Sequence, residues 1–277
     1  MTNGTRAIQT FILAAALLIL SAIPTRAQFT DGSTGLLQMP TAEMQDDGTF
    51  MITTNFLNKH SLPTGGWNYN TFQYGISVSF WERIEIDYIC TIFNGAWDPR
   101  SEEEKGHRWT IMRNQDRHFS GRICLLREGE LGLNWMPALV VGVSDPTTGS
   151  GGGEYISGTE KVTGEGNGYF NRWFAVMTKH FDTPWGRVGV HAGYQFNRRT
   201  DYRINGPCAG VDWTPVWIQD KGILDNLKVI LEYDCRTVNM GFIASIWDNR
   251  FEAMFELQNF QWVNFGLRYK LRLKKAI

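Results

Sequence analysis

The sequence predicts an all-β chain closed into a transmembrane antiparallel β-barrel of about twelve strands. Three observations predict it. The first is a period of two sustained from Trp262 to Leu273. Val263, Phe265, Leu267, Tyr269, Leu271 and Leu273 fall on one face, and Asn264, Gly266, Arg268, Lys270 and Arg272 on the other, because successive strand side chains point to opposite faces. An ordinary soluble strand runs about 5–6 residues, whereas a tilted strand crossing a bilayer needs roughly 9–11. The second is an alternation of long and short connections, as when one rim faces outside and the other the periplasm. The third is tryptophan at segment ends, where a ring that is apolar but carries an N–H suits a membrane–water interface.

Taken in order, the chain opens with a segment to be set aside. Arg6 gives a weak positive region, Phe11 to Leu20 is unbroken apolar sequence, and Thr25 and Ala27 are small residues placed for cleavage, so residues 1–27 read as a secretory signal peptide. The apolar run is too short for a spanning helix of about 20 residues. Residues 28–277 are then the barrel domain, with residues 28–47 as its N-terminal lead-in. Strands are expected over 48–57, 71–80, 83–93, 118–126, 135–144, 170–181, 185–196, 206–213, 227–235, 238–247, 250–258 and 262–273. In the third, Ile84, Ile86, Tyr88, Cys90 and Ile92 alternate with Glu85, Asp87, Ile89 and Thr91; the phase of the sixth is undecided. In the seventh, Val188, Val190, Ala192, Tyr194 and Phe196 lie opposite Arg187, Gly189, His191, Gly193 and Gln195. Long connections run over 58–70, 94–116, 145–169 and 197–205, and Trp81-Glu82, Asp182-Thr183-Pro184 and Asp248-Asn249 are tight turns on the opposite rim. Residues 215–226 break the pattern by being long on the periplasmic side, and the turns after the ninth and eleventh strands by being short on the outer side. Trp81, Trp135, Trp185, Trp213 and Trp247 fall at periplasmic strand ends, and Trp173 and Trp262 at outer ends.

Alternation alone does not separate this fold from a soluble barrel, which buries its apolar face and wets its polar one. Strand length, loop asymmetry and tryptophan placement favour the membrane form. No second apolar segment could span as a helix, and only helices and closed sheets satisfy every backbone group in lipid. Removing residues 1–27 deletes Arg6, Arg26 and no acids, so 27 bases against 28 acids become 25 against 28, formally −3, which gives no case for nucleic acid. Four cysteines in an exported chain invite a disulfide reading. Strand phase sets Cys90 and Cys235 on the apolar face and Cys124 and Cys208 on the polar one, so buried free thiols are expected.

Few residues point to chemistry. The glycine run at 149–153 lacks the Lys-Ser/Thr ending of a phosphate loop, and His60, His107, His118, His180 and His191 show no metal spacing. No serine falls beside a histidine by strand phase. No catalytic residue, metal ligand or cofactor is assigned. Twelve charged residues instead project inward by phase: Glu85, Asp87, Arg122, Arg187, Lys228, Glu232, Asp234, Glu252, Glu256, Arg268, Lys270 and Arg272. Acids on the ninth and eleventh strands beside bases on the twelfth would form cross-strand pairs of about 0.2–1 kcal/mol each. The set reads as a structural ion-pair network filling the interior, with a charged path for a solute as the alternative.

Thr34-Gly35-Leu36-Leu37-Gln38-Met39-Pro40-Thr41-Ala42, followed by Asp47-Gly48-Thr49-Phe50, resembles the opening of the YjbH-type outer-membrane proteins associated with exopolysaccharide production. Leu125-Leu126-Arg127-Glu128-Gly129, the stretch 137–145, the stretch 206–212 and Leu231-Glu232-Tyr233-Asp234 are similar to later parts of the same family, so the resemblance spans nearly all of the mature chain. It implies an outer-membrane protein of a Gram-negative-type bacterium, cleaved near Ala27, that supports exopolysaccharide secretion or envelope assembly without catalysis. Outer-membrane lipid is the implied surrounding, and polysaccharide or polysaccharide-export proteins the implied partners. An outer-membrane lipid or glycan hydrolase and a general solute porin are the alternatives. Two departures stand out: many relatives are longer, which implies a short single-barrel form, and Lys274-Lys275-Ala276-Ile277 lacks the final aromatic common in outer-membrane barrels.

Overall fold

The computed structural model describes residues 32–63, 69–95, 112–146, 155–157, 160–162, 168–197, 203–218 and 224–273. The expected signal peptide, the glycine run at 149–153, His107 and much of the long connections lie outside the described residues. Among the described residues there are fourteen strands: β1 Thr49–Leu57, β2 Thr71–Phe80, β3 Ile84–Gly95, β4 Met112–Leu126, β5 Ala138–Ser144, β6 Tyr155–Ser157, β7 Glu160–Val162, β8 Arg172–Thr183, β9 Gly186–Phe196, β10 Gly206–Pro215, β11 Leu224–Tyr233, β12 Val238–Ile246, β13 Phe251–Gln258 and β14 Trp262–Arg272. Strands β6 and β7 pair only with each other, as a small hairpin between β5 and β8. The other twelve form a closed antiparallel barrel in which chain neighbours are sheet neighbours, sealed by β1 against β14 from Thr49↔Arg272 to Phe56↔Phe265. Phe56 stacks on Phe265 across that seam at 4.9 Å and meets Phe72 edge-on at 5.5 Å.

The twelve expected strands are all present, with ends shifted by a few residues. The first half of β4 lies upstream of the expected start, and Trp135 sits in the connection before β5 rather than at the start of that strand. The barrel has two unequal rims. The near rim carries the start of β1, the end of β14 and the turn at Trp81-Glu82, whose φ values of 53° and 53° are left-handed. Left-handed pairs of this kind match the twist of the flanking strands. At the far rim the turn Asn259-Phe260 has the same handedness.

The apolar face points out and the polar face in. Phe265 is 47% exposed, whereas Arg268 on the same strand is 1% exposed. Ile52, Ile76, Ile86, Phe119, Ile123, Leu231, Phe242 and Leu267 join the exposed apolar belt, with Trp81, Trp135, Trp185 and Trp247 standing free at the near rim. A soluble monomer does not display so large a continuous apolar surface. Outward apolar bands flanked by aromatic girdles and a polar interior are the anatomy of an outer-membrane barrel, which rules out the inverted soluble form.

The lead-in is where the structure departs most from the sequence reading. Residues 32–45 do not simply precede the wall; Ser33 to Gln45 are buried inside it. Gly35 bridges Pro40, and the Leu36 N–H donates to the Met39 carbonyl at 3.0 Å, so the segment is a tight hairpin within the lumen. Its tip packs on inward-facing apolar residues of the wall, among them Phe174, Val176, Cys208, Ile230 and Ile243. The physical reason is barrel size. Eight strands enclose only enough space for side chains, and sixteen or more leave a channel. Twelve leave a lumen that side chains alone do not fill, and the hairpin fills it.

That plug also explains irregular phases. Strand β8 turns Arg172, Phe174, Val176 and Thr178 inward and Trp173 and Met177 outward; two of its inward residues are apolar because they face the plug, which is why alternation did not reveal the phase. Gly142 pairs with Phe174, and a Cβ there would lie 2.2 Å from the Phe174 ring. Gly210 leaves room for the plug tip in the same way, since its Cβ would meet Leu36 Cδ1 at 2.5 Å and Met39 Sδ at 3.1 Å.

The cysteines are free among the described residues. Cys124 and Cys208 face inward as expected, and Cys90 lies on the outward phase but is buried. Cys235 corrects the expectation. It lies beyond the end of β11 with φ 79°, and its thiol turns off the lipid face to donate to the Gly206 carbonyl at 3.1 Å.

Candidate functional site

The lumen wall grips the plug through its main chain. Glu232 on β11 accepts from the N–H groups of Leu37 at 2.9 Å, Gln38 at 2.6 Å and Met39 at 3.3 Å. Glu85 on β3 accepts from both the N–H and the hydroxyl of Thr34, each at 2.7 Å. Arg122 on β4 donates to the carbonyls of Thr34, Thr41 and Glu43. Arg172 on β8 donates to the Gln38 carbonyl at 3.0 Å, and Arg268 on β14 to the Ser33 carbonyl at 3.2 Å. Phe174 lies beneath two of these guanidinium groups, 5.9 Å from Arg122 and 5.7 Å from Arg172, which steadies both. A buried main-chain N–H or C=O must find a partner. In this irregular segment the partners are wall side chains.

Ten of the twelve expected lumen charges are buried: Glu85, Asp87, Arg122, Lys228, Glu232, Asp234, Glu252, Glu256, Arg268 and Lys270. Their roles differ from the expected wall-to-wall network. On β13 and β14, Lys270 does pair with Glu252, and Glu256 accepts from Asn264 at 2.6 Å. Strand β11 is not beside β14, so Glu232 finds the plug instead. Glu256 also accepts from the plug, from Gln38 Nε2 at 2.7 Å. Asp87 lies across from Ser77. Asp234 lies past the end of β11, where its carboxylate caps the turn by accepting from the N–H groups of Arg236 at 2.8 Å and Thr237 at 2.7 Å. Two expectations are corrected. Arg187 and Arg272 sit at the near rim and are exposed, because Arg272 is the last residue of β14 and Arg187 is one rung from the start of β9; Arg272 pairs with Asp46 at 3.2 Å.

A second polar cluster, near the near rim, escaped the sequence reading. His191 Nε2 lies 2.6 Å from Asp212, and His191 Nδ1 lies 2.9 Å from the hydroxyl of Thr178, its register partner on β8. Lys228 stands between Asp212 at 3.6 Å and the plug's Glu43 at 3.4 Å. His180 bridges Glu43 at 3.2 Å and Glu128 at 2.6 Å. The expectation concerned serine, and the hydroxyl that meets a histidine here is that of a threonine. The missed signal was the undecided phase of β8, which hid Thr178. A pocket of about 250 Å³ opens here, lined by Glu43, Arg127, Glu128, Thr178, His180 and Arg187.

The arrangement of Thr178, His191 and Asp212 has the order of a nucleophilic relay, hydroxyl to imidazole to carboxylate. Its hydroxyl is already engaged: Thr178 Oγ1 accepts from the Ala42 N–H of the plug at 2.8 Å. Together with Lys228 and His180 on Glu43, the cluster latches the second limb of the plug. Outside the spanning strands, burial pushes the Glu128 carboxyl up, but hydrogen bonds from Lys179 and His180 outweigh it and hold it below the usual carboxylate range. Glu130 is held low by the Arg127 N–H and by Arg83. Among the described residues no group of side chains could hold a metal ion.

No curated protein matches the chain. Among solved structures, LpxR from Salmonella typhimurium is 11% identical, covering 80% of this chain and 99% of its own at a TM-score of 0.37. A designed transmembrane β-barrel is 10% identical, covering 82% and 99% at a TM-score of 0.22. Likenesses this distant carry no argument about mechanism. The family model described as exopolysaccharide biosynthesis protein YbjH matches residues 27–274, nearly the whole barrel and its plug, so the chain belongs to the YjbH family.

Proposed function

We propose that this chain is a non-enzymatic outer-membrane barrel that supports exopolysaccharide secretion or envelope assembly, with the near rim in the periplasm and the signal peptide removed near Ala27. Family membership supplies the link to exopolysaccharide. The observation in this molecule that carries the reading is the occupied lumen: Glu85, Arg122, Arg172, Glu232 and Arg268 hold the chain's own hairpin. A general porin needs an open water-filled path, which the plug denies it. The partner-facing surface is the far rim, since binding residues concentrate on loops held by a rigid scaffold. Deleting the gene should change surface polysaccharide under conditions where the protein is made, and unchanged polysaccharide would sink the reading. Envelope fractionation should recover the mature protein with the outer membrane.

The hydrolase reading has one observation in its favour, the relay of Thr178, His191 and Asp212 beside a pocket. Against it stands the burial of Thr178 beneath the plug, whose Ala42 N–H takes one of the two lone pairs of the hydroxyl oxygen. Release of fatty acid or glycan fragments by the purified barrel, lost in Thr178→Ala, would replace the non-enzymatic reading.

A further inference from the structure

The plug is held in a way that describes what else the lumen could hold. The strongest contacts are made to peptide groups rather than to side chains that would confer sequence preference. Glu232 takes three successive main-chain N–H groups, and Arg122, Arg172 and Arg268 give to main-chain carbonyls. A carboxylate that accepts from N–H, set near guanidinium groups that donate to C=O, is a receptor for secondary amides. The signs are mixed along the wall, with Glu85 and Glu256 facing the same lumen as those arginines. A strongly anionic polymer would meet the carboxylates, and a cationic one the guanidinium groups, so neither is accommodated along the whole wall. An uncharged chain that carries secondary amides meets both sets of groups.

We propose that the plug, residues 33–43, occupies a binding site for an N-acetylated glycan, whose acetamido groups present the same N–H and C=O as the peptide groups of Leu37 to Met39. The assignment rests on the polysaccharide reading above and narrows its substrate class. Displacement is favoured by the plug's construction. Its internal contacts are few, the Gly35 to Pro40 bridge, Thr41 with Glu43, and Gln45 on Thr34, and its main-chain contacts to Glu232, Glu85 and the wall arginines can be exchanged for the same contacts to a glycan. The wall itself is closed strand to strand and does not depend on the hairpin for its pairing.

Two measurements test this. In the first, the wild-type barrel in detergent is exposed to N-acetylglucosamine tetramer or, separately, to glucose tetramer, and amide hydrogen exchange is followed at Leu37, Gln38 and Met39. The N-acetylated tetramer should speed exchange at these positions at least tenfold, and the glucose tetramer should leave it unchanged. No change with either, or an equal change with both, overturns the proposal. In the second, a barrel lacking residues 32–45 is placed in planar bilayers. It should conduct where the wild type is silent, and the N-acetylated tetramer should block it at a concentration at least tenfold lower than the glucose tetramer. A folded deletion variant that stays silent, or that both sugars block alike, overturns the proposal; if the deletion does not fold, the exchange measurement on the wild type decides alone. Neither readout uses a polysaccharide phenotype. An unchanged cell surface in the gene deletion would therefore fail the export reading while leaving the binding result standing.

Discussion

At the scale of single residues, the lumen depends on groups whose partners are far away in sequence. Gly210 is an example: it is small because Leu36 and Met39 of the plug tip lie against it. Gly210→Leu puts a side chain where the tip sits. The wall should still close, but the tip should be expelled, read as faster amide exchange at Leu36 to Met39 with unchanged β-sheet circular dichroism; unchanged exchange would mean that the tip is not held there. The near rim gives a pH prediction. Glu128 is held below its ordinary value of 4.5 by Lys179 and His180. A carboxylate depressed in the folded state contributes stability that is present above its unfolded value and is lost as pH falls through the folded one. Thermal stability of the detergent-folded barrel should therefore drop as pH falls below the ordinary carboxylate value of 4.5, and Glu128→Gln should flatten that slope. A slope unchanged in the variant would assign the effect to other acids.

At the scale of elements, strand β14 carries both faces of the argument. Phe265 lies on the outward face near mid-strand, stacked on Phe56, while Arg268 points into the lumen and donates to Ser33. Phe265→Arg puts a charge against lipid and should cost roughly 2–4 kcal/mol at the midplane, measured as a loss of folded barrel in urea titration from lipid vesicles. Arg268→Gln should cost the wall less, because the change falls on the hold on the plug and on the lumen side. Tolerance of Phe265→Arg together with failed assembly of Arg268→Gln would invert the assignment of faces. Strand β8 illustrates the limit of reading elements from periodicity. Its inward Phe174 and Val176 are apolar because a hairpin packs on them, and a period of two cannot reveal an apolar lumen patch when apolar residues lie on both faces.

At the scale of the whole molecule, the closed wall is the stable unit and the far connections are appendages to it. Deleting residues 149–166 removes much of the connection between β5 and β8, including its small hairpin, without touching a barrel rung. The shortened chain should keep the heat-modifiable migration on denaturing gels that a closed barrel gives, and should change partner binding or surface polysaccharide if the far rim is the partner-facing surface. Loss of the heat-modifiable band would show that this connection is needed for closure.

The sequence by itself determined the wall. The number of strands, the inward and outward faces of every strand but β8 and the burial of ten of the twelve expected charges were legible, because such strands alternate against the same two environments and that constraint is local. Strand ends were less legible, which is why Arg187 and Arg272 were placed in the lumen and are at the rim. Only the tertiary structure decided what the lumen contains. Residues 32–45 have no periodicity, and their partners Glu85, Arg122, Glu232 and Arg268 lie about 50 to 235 positions away in the chain. Nothing local marks a segment whose main chain will be satisfied by wall side chains; that follows only from a closed twelve-strand wall, which leaves a space that must be filled and polar groups that must be paired.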